Sequence, residues 1–348
     1  MDIKTYDSGS QRSDLKLRLS RNEGICCFGD QKIPSVDAES INRYPDYSRL
    51  REAYASFMNV PSECVIPTAG GDEGIDRLIR LSNRTNRKSI VCHAPSFEMI
   101  DVYASQSGIN CNGIQWFDGE FPIGEFGNNI DQQTSLVCLV SPNNPTGRKI
   151  PCGVVKEVVR LAKQSGALVL LDFAYIEFAD FDPSAEVLEF DNVVILRTLS
   201  KAWGLAGLRA GFLVTSNMAL AKQLNQFGSP FSISHVSAEL ATYAIENYAT
   251  TMKTNVATTV EIRSQLQSVL ADVNIPCLPS QGNFVLARFP ETSNFKMGLD
   301  TMGISIRYFD SPVLSEWVRI TCPTSFADLE FLATALKTQF ANENATRQ

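Results

Sequence analysis

The segment Leu199-Ser200-Lys201-Ala202-Trp203-Gly204-Leu205-Ala206-Gly207-Leu208-Arg209-Ala210-Gly211 sets one amine beside a hydroxyl and ahead of a guanidinium, in a loop punctuated by glycines. A lysine amine condenses with an aldehyde or ketone once its neutral form is accessible, which makes Lys201 the candidate nucleophile. Arg209 can meet an anion with a bidentate fork, and Thr198 and Ser200 alternate with Leu199, so their hydroxyls can face one side. Gly204, Gly207 and Gly211 permit tight turns around such a group. Together these residues suit a phosphorylated carbonyl compound held by a covalent bond. Alone, Ser-Lys ahead of glycines is equally a turn carrying a solvated lysine, so the reading rests on what else the chain brings to the same place.

Several other segments bring it. Asn192–Thr198 is short, apolar and rich in β-branched residues, as a buried parallel strand should be, which puts Lys201 just past a strand's carboxyl end. Ligands of open α/β sheets bind at that edge. Ser135–Val140 reads as a second such strand and runs into Ser141-Pro142-Asn143-Asn144-Pro145-Thr146-Gly147, where Pro145 restricts Asn144 to an extended conformation and holds its amide at the strand's exit. Ala167–Leu171 is a third, followed by Asp172-Phe173-Ala174-Tyr175. A carboxylate at the end of an apolar strand is costly unless it meets a cation, and a protonated pyridine nitrogen would be one, with the Tyr175 phenol close by. Gly70-Gly71-Asp72-Glu73-Gly74 reads as a loop opening a helix with acids in its first turn, where the N–H groups of Gly71 and Asp72 can face an anion. In Trp317-Val318-Arg319-Ile320-Thr321, Arg319 stands among apolar neighbours and is a poor choice without an anion to meet. Each segment also has a plain reading, as a turn, a capped helix or a surface strand.

In order and spacing, Asn144-Pro145-Thr146-Gly147, Asp172 with Tyr175, Ser200-Lys201 and Gly207-Leu208-Arg209-Ala210-Gly211 resemble the pyridoxal-phosphate-dependent aminotransferases of fold type I. Asn42-Arg43-Tyr44-Pro45-Asp46, Gly71-Asp72-Glu73-Gly74-Ile75, Tyr175-Ile176-Glu177-Phe178 and Leu196-Arg197-Thr198-Leu199-Ser200-Lys201 resemble the histidinol-phosphate aminotransferase branch in particular. The likeness runs from about Leu15 to the C-terminal helix. It implies an α/β fold, with a mostly parallel sheet in a large domain and a smaller α+β C-terminal domain. It also implies that pyridoxal 5′-phosphate is the cofactor and that Lys201 holds the internal aldimine and shuttles the proton. Asp172 would keep the pyridinium nitrogen protonated, while Asn144 and Tyr175 would hydrogen-bond the ring's phenolate oxygen. The phosphate would lie among Thr198, Ser200, Arg209 and the backbone of Gly71 and Asp72, with Phe97 stacked on the ring. Tyr44 resembles a tyrosine that reaches a neighbouring subunit's cofactor phosphate, which implies a homodimer. Arg319 matches the arginine for the substrate α-carboxylate, and Arg307 resembles one that helps bind a substrate's own phosphate. The chain departs from the branch at Gly24-Ile25-Cys26-Cys27-Phe28, where a proline and a tyrosine are expected, so histidinol phosphate itself does not carry over with the motifs. It departs again at Phe173, where the branch usually has an acid.

Length and composition agree. At 348 residues, with 44% hydrophobic and 20% charged residues, the chain can build two domains over a shared core. A formal net charge of −7 provides no field for nucleic acid. No apolar run approaches the roughly 20 residues that span a bilayer, and the N-terminus lacks an apolar leader, so the protein is expected in the cytoplasm. Nine scattered cysteines without a Cys-x-x-Cys pair read as free thiols rather than a disulfide framework or a zinc site, and His93 and His235 as structural residues, leaving little material for a histidine-centred metal site, and none is expected. Residues 1–28 read as an arm whose start to Asp14 is polar enough for disorder, 29–243 as the large domain and 244–348 as the small one, entered by a helix from about Ile245 to Leu270. The expected reaction is a ping-pong transfer from an amino donor to a keto acid such as 2-oxoglutarate. A decarboxylase of the threonine-phosphate type, or an oxidase, uses the same grip, because the bond broken depends on substrate pose. A non-catalytic regulator would need a DNA-binding domain, for which there is no room before Tyr47.

Overall fold

A computed structural model describes residues 14–31, 33–35, 37–289 and 292–346; the expectation of disorder before Asp14 lies outside the described residues. Seven strands form the main sheet: β2 (Val65–Thr68), β3 (Ser89–Ala94), β4 (Asn110–Gln115), β5 (Thr134–Val140), β6 (Leu168–Asp172), β7 (Val193–Thr198) and β8 (Gly211–Val214), in the order β2-β8-β7-β6-β5-β3-β4. Pairing is parallel from β4 through β7, and β8 alone runs against its neighbours. The central strands are buried at nearly every position and apolar along most of their length because both faces are covered. Val137, Leu139, Val169, Leu171, Val193 and Ile195 pack on one face with the helix Cys152–Ser165, while Leu136, Cys138, Leu170, Val194 and Leu196 pack on the other with the helix Gly70–Ser82. Each buried aliphatic side chain is worth about 1.5–3 kcal/mol, so this layer fixes where the strand ends lie. His93 is wholly buried; its Nε2 accepts the Val140 N–H at 3.1 Å, and burial pushes its pKa down to about 3, so the ring ties β3 to β5 as a neutral side chain.

A second sheet has the order β1-β10-β11-β9, built from β1 (Leu17–Leu19), β9 (Phe284–Arg288), β10 (Ile304–Tyr308) and β11 (Trp317–Thr321). Its core gathers Leu17 and Leu19 of the arm with Ile262, Leu266, Val285, Val318, Ile320, Leu332 and Leu336. The arm therefore supplies an edge strand, parallel to β10. One continuous helix, His235–Asp272, joins the two cores: Ala241, Ile245 and Met252 pack with the main sheet, and Ile262, Leu266 and Leu270 with the second. It begins ten residues before the expected Ile245, and the division expected at 243/244 falls inside it.

Candidate active site

All strands of the main sheet except β8 point the same way, so β2, β7, β6, β5 and β3 deliver their following residues to one edge. The turn after β2 opens the helix Gly70–Ser82; Lys201 follows β7; Asp172 ends β6; Asn144 follows β5; Phe97 follows β3. Five segments scattered over the sequence meet because their strands are neighbours.

Asp172 is 4% exposed. Its Oδ1 accepts the Ala174 N–H at 3.0 Å, yet desolvation lifts its pKa to about 6, with the Asp72 charge adding to the rise and the Lys201 ammonium opposing it. Among the described residues no cation forms an ion pair with this carboxyl. Lys201 is half-buried; its Nζ donates to Arg21 O at 3.1 Å and sits 5.5 Å from the centre of the Tyr175 ring. Tyr175 is buried, packed edge-on against Phe284, and its hydroxyl accepts from Asn22 Nδ2 at 3.0 Å. Asn144 Oδ1 accepts from Arg319 Nη1 at 2.6 Å, and among the described residues nothing accepts from its Nδ2. The adjoining Asn143 accepts from Ser96 Oγ and donates to Pro95 O, which ties the loop carrying the half-buried Phe97 to this strand exit.

On the other side of Lys201, Thr198 and Ser200 are buried with their hydroxyl oxygens 3.0 Å apart. Arg209 donates to Ser200 Oγ at 3.4 Å and pairs with Asp72 at 2.9 Å. The helix Gly70–Ser82 has no side-chain cap at its start, so the N–H groups of its first turn are open to an anion. Gly70 adopts φ +78°, and a Cβ there would stand 2.5 Å from Arg209 Nη2. An uncapped helix start, two hydroxyls and a guanidinium fit a phosphate; a buried acid of raised pKa fits a pyridinium. The residues present therefore suit pyridoxal 5′-phosphate.

Arg319 is buried and also donates to Ser20 O at 2.6 Å. In the register of the second sheet it stands directly across from Arg307. Arg307 meets Glu98 at 3.3 Å, a contact between the second sheet and the loop after β3. Tyr44 is not in this cluster: it is 78% exposed, stacked on Phe231 at 4.4 Å.

The decisive comparison is with a family: residues 22–336 match Aminotransferase class I and II. The chain belongs to the class I and II aminotransferases, pyridoxal 5′-phosphate-dependent enzymes of fold type I. The enzyme is 34% identical over 299 residues to a histidinol-phosphate aminotransferase of Cronobacter sakazakii, covering 83% of this chain and 82% of that one. Its fold matches the histidinol-phosphate aminotransferase of Sinorhizobium meliloti, solved with pyridoxal-5′-phosphate, at a TM-score of 0.80 and 22% identity over 94% of this chain and 92% of that one. It also matches the L-threonine-O-3-phosphate decarboxylase of Porphyromonas gingivalis at a TM-score of 0.73 and 21% identity, covering 87% and 92%. The expected fold class and cofactor stand.

Sequence reasoning missed Asn22 and Glu98. Asn22 is 1% exposed, and its side-chain partners Tyr175 and Thr321 lie 153 and 299 residues away, so no local pattern marks it. Glu98 stands in an ordinary polar loop and gains meaning only beside Arg307.

Proposed function

We propose that the enzyme moves an amino group from an amino acid or a phosphorylated amino compound of the histidinol-phosphate kind to a keto acid such as 2-oxoglutarate. The observation that carries the substrate class is the register pair Arg307 and Arg319. Two guanidiniums on directly paired positions of adjacent strands repel, and a substrate bearing a carboxylate and a second anionic group would relieve that repulsion. The names of the curated relatives point the same way.

In this reading Lys201 supplies the amine that holds the cofactor, then carries a proton to and from the substrate's α-carbon. Pyridoxal phosphate, when bound, supplies a ring that withdraws electrons from that carbon. Asp172 holds the proton on the ring nitrogen, and Asn144 and Tyr175 donate to the ring oxygen. Phe97 covers one face of the ring. Thr198, Ser200, Arg209 and the N–H groups of Gly71 and Asp72 hold the phosphate. Arg319 orients the α-carboxylate, Arg307 reads the distal anion, and Tyr44 of one subunit of a homodimer reaches the other's site.

Mixing the holoenzyme with single amino donors and no acceptor tests the reaction. A donor that bleaches the cofactor's visible absorbance, restored on adding 2-oxoglutarate, is the expected result. Release of carbon dioxide or peroxide from the same donor would replace transamination with decarboxylation or oxidation.

A further inference from the structure

Asn22 belongs to the arm, yet it is among the most deeply buried polar residues of the molecule. Its backbone has φ +54°, a left-handed conformation that asparagine tolerates better than most residues. Every polar group of this residue is engaged. Its N–H donates to Thr321 Oγ1 at 3.0 Å; its Oδ1 accepts from the same hydroxyl group at 3.0 Å; its carbonyl accepts from Asn283 Nδ2 at 3.1 Å; and its Nδ2 donates to Tyr175 Oη at 3.0 Å. Thr321 ends β11 and Asn283 precedes β9, so the second sheet clamps the arm and the arm aims one amide at the phenol of the main sheet. A structural plug would be satisfied by the second sheet alone. The bond to Tyr175 is the part that faces the chemistry.

A phenol oxygen that accepts a hydrogen bond must turn its own proton elsewhere, and its conjugate base is stabilised, so it becomes the stronger donor. Lys201 Nζ lies over the same ring. We propose that Asn22 is a positioning residue that sets the acidity of the proton at Lys201 Nζ through Tyr175. The inference rests on the reading that Lys201 holds the cofactor and Tyr175 donates to its ring oxygen. With Asn22 in place, Tyr175 draws charge from that oxygen, the oxygen competes less well for the proton on Lys201 Nζ, and the proton leaves at lower pH.

The test is a pH titration of the visible absorbance of resting holoenzyme, a property independent of turnover. Asn22→Asp keeps the size and the left-handed backbone but removes the amide donor; Asn22→Gly keeps the backbone and removes the side chain without adding charge. Each is expected to raise the titration midpoint by about 1 pH unit, the scale of one hydrogen bond to a titrating system. In a Tyr175→Phe background Asn22→Gly, which adds no charge, should leave the midpoint where Tyr175→Phe alone puts it. An unchanged midpoint in both single variants, or an equal shift by Asn22→Gly with and without the Tyr175 hydroxyl, overturns the proposal. If instead the parent enzyme shows no chromophore that depends on Lys201, the assignment of Lys201 itself fails, a distinct outcome.

Discussion

A carboxyl buried to 4% exposure with its pKa lifted to about 6 is costly while ionised, a cost that a bound cation would offset. The sign of its pH effect follows directly. Asp172 holds its proton more tightly folded than unfolded, so its contribution to stability is present at pH below about 4 and is lost as pH rises through about 6, a swing of about 3 kcal/mol. Asp172→Asn is therefore expected to stabilise the cofactor-free protein against urea at pH 7.5 by up to about 3 kcal/mol, and by much less at pH 4.5. The same change should abolish most turnover. Equal gains at both pH values would show that the carboxyl is not the source. Neighbouring side chains tell a similar story: Arg319, Asn144 and the hydroxyls of Thr198 and Ser200 are buried polar groups aimed at one place, each tolerable because another polar group meets it.

The arm is the element whose role the sequence concealed. Its departure at Gly24–Phe28 from the expected proline and tyrosine reads as a change in substrate contact. In the fold this stretch presses on the lysine loop. A Cβ on Gly24 would stand 1.9 Å from Lys201 O, a Cβ on Gly204 would stand 2.3 Å from Ile25 O, and Cys27 N–H donates to Trp203 O at 3.0 Å. Gly24→Ala must push one backbone off the other, at an expected cost of about 1–3 kcal/mol in urea unfolding, together with slower cofactor uptake. Unaltered uptake and stability would mean that arm and loop separate freely. The strands were far easier to read: β5, β6, β7 and β11 are apolar or alternating runs whose periodicity survives in isolation, and the structure returns them within a residue or two. The long helix was misjudged at its start because His235–Tyr243 carries mixed polarity and becomes helical by packing on the main sheet rather than by an obvious stripe.

At the scale of the molecule, an exposed aromatic pair remains to be placed. Tyr44 and Phe231 stack on the surface beside Ile41, which is also exposed, away from the cluster around Lys201. Under the homodimer proposed above, Tyr44 completes the neighbour's site, and that geometry can be tested by exchange of subunits. Tyr44→Ala and Lys201→Ala dimers, each impaired at limiting cofactor, should regain about a quarter of the parent activity when their subunits are reassorted, because half of the dimers then contain one intact site. Mixed dimers, verified by mass, that remain inactive would show that Tyr44 does not complete the neighbour's site.

The sequence by itself determined the chemistry. The proposed Schiff-base lysine, the acid for the ring nitrogen, the ring-oxygen donors and the phosphate grip are local groupings of residue types, and residue type dictates what a side chain can donate, accept or attack. Only the tertiary structure decided how these groups are held. Whether Asn22 touches Tyr175, whether Glu98 meets Arg307, and whether Gly24 lies against Lys201 depend on pairing between strands and loops far apart along the chain, and no periodicity within a segment encodes a partner hundreds of residues away.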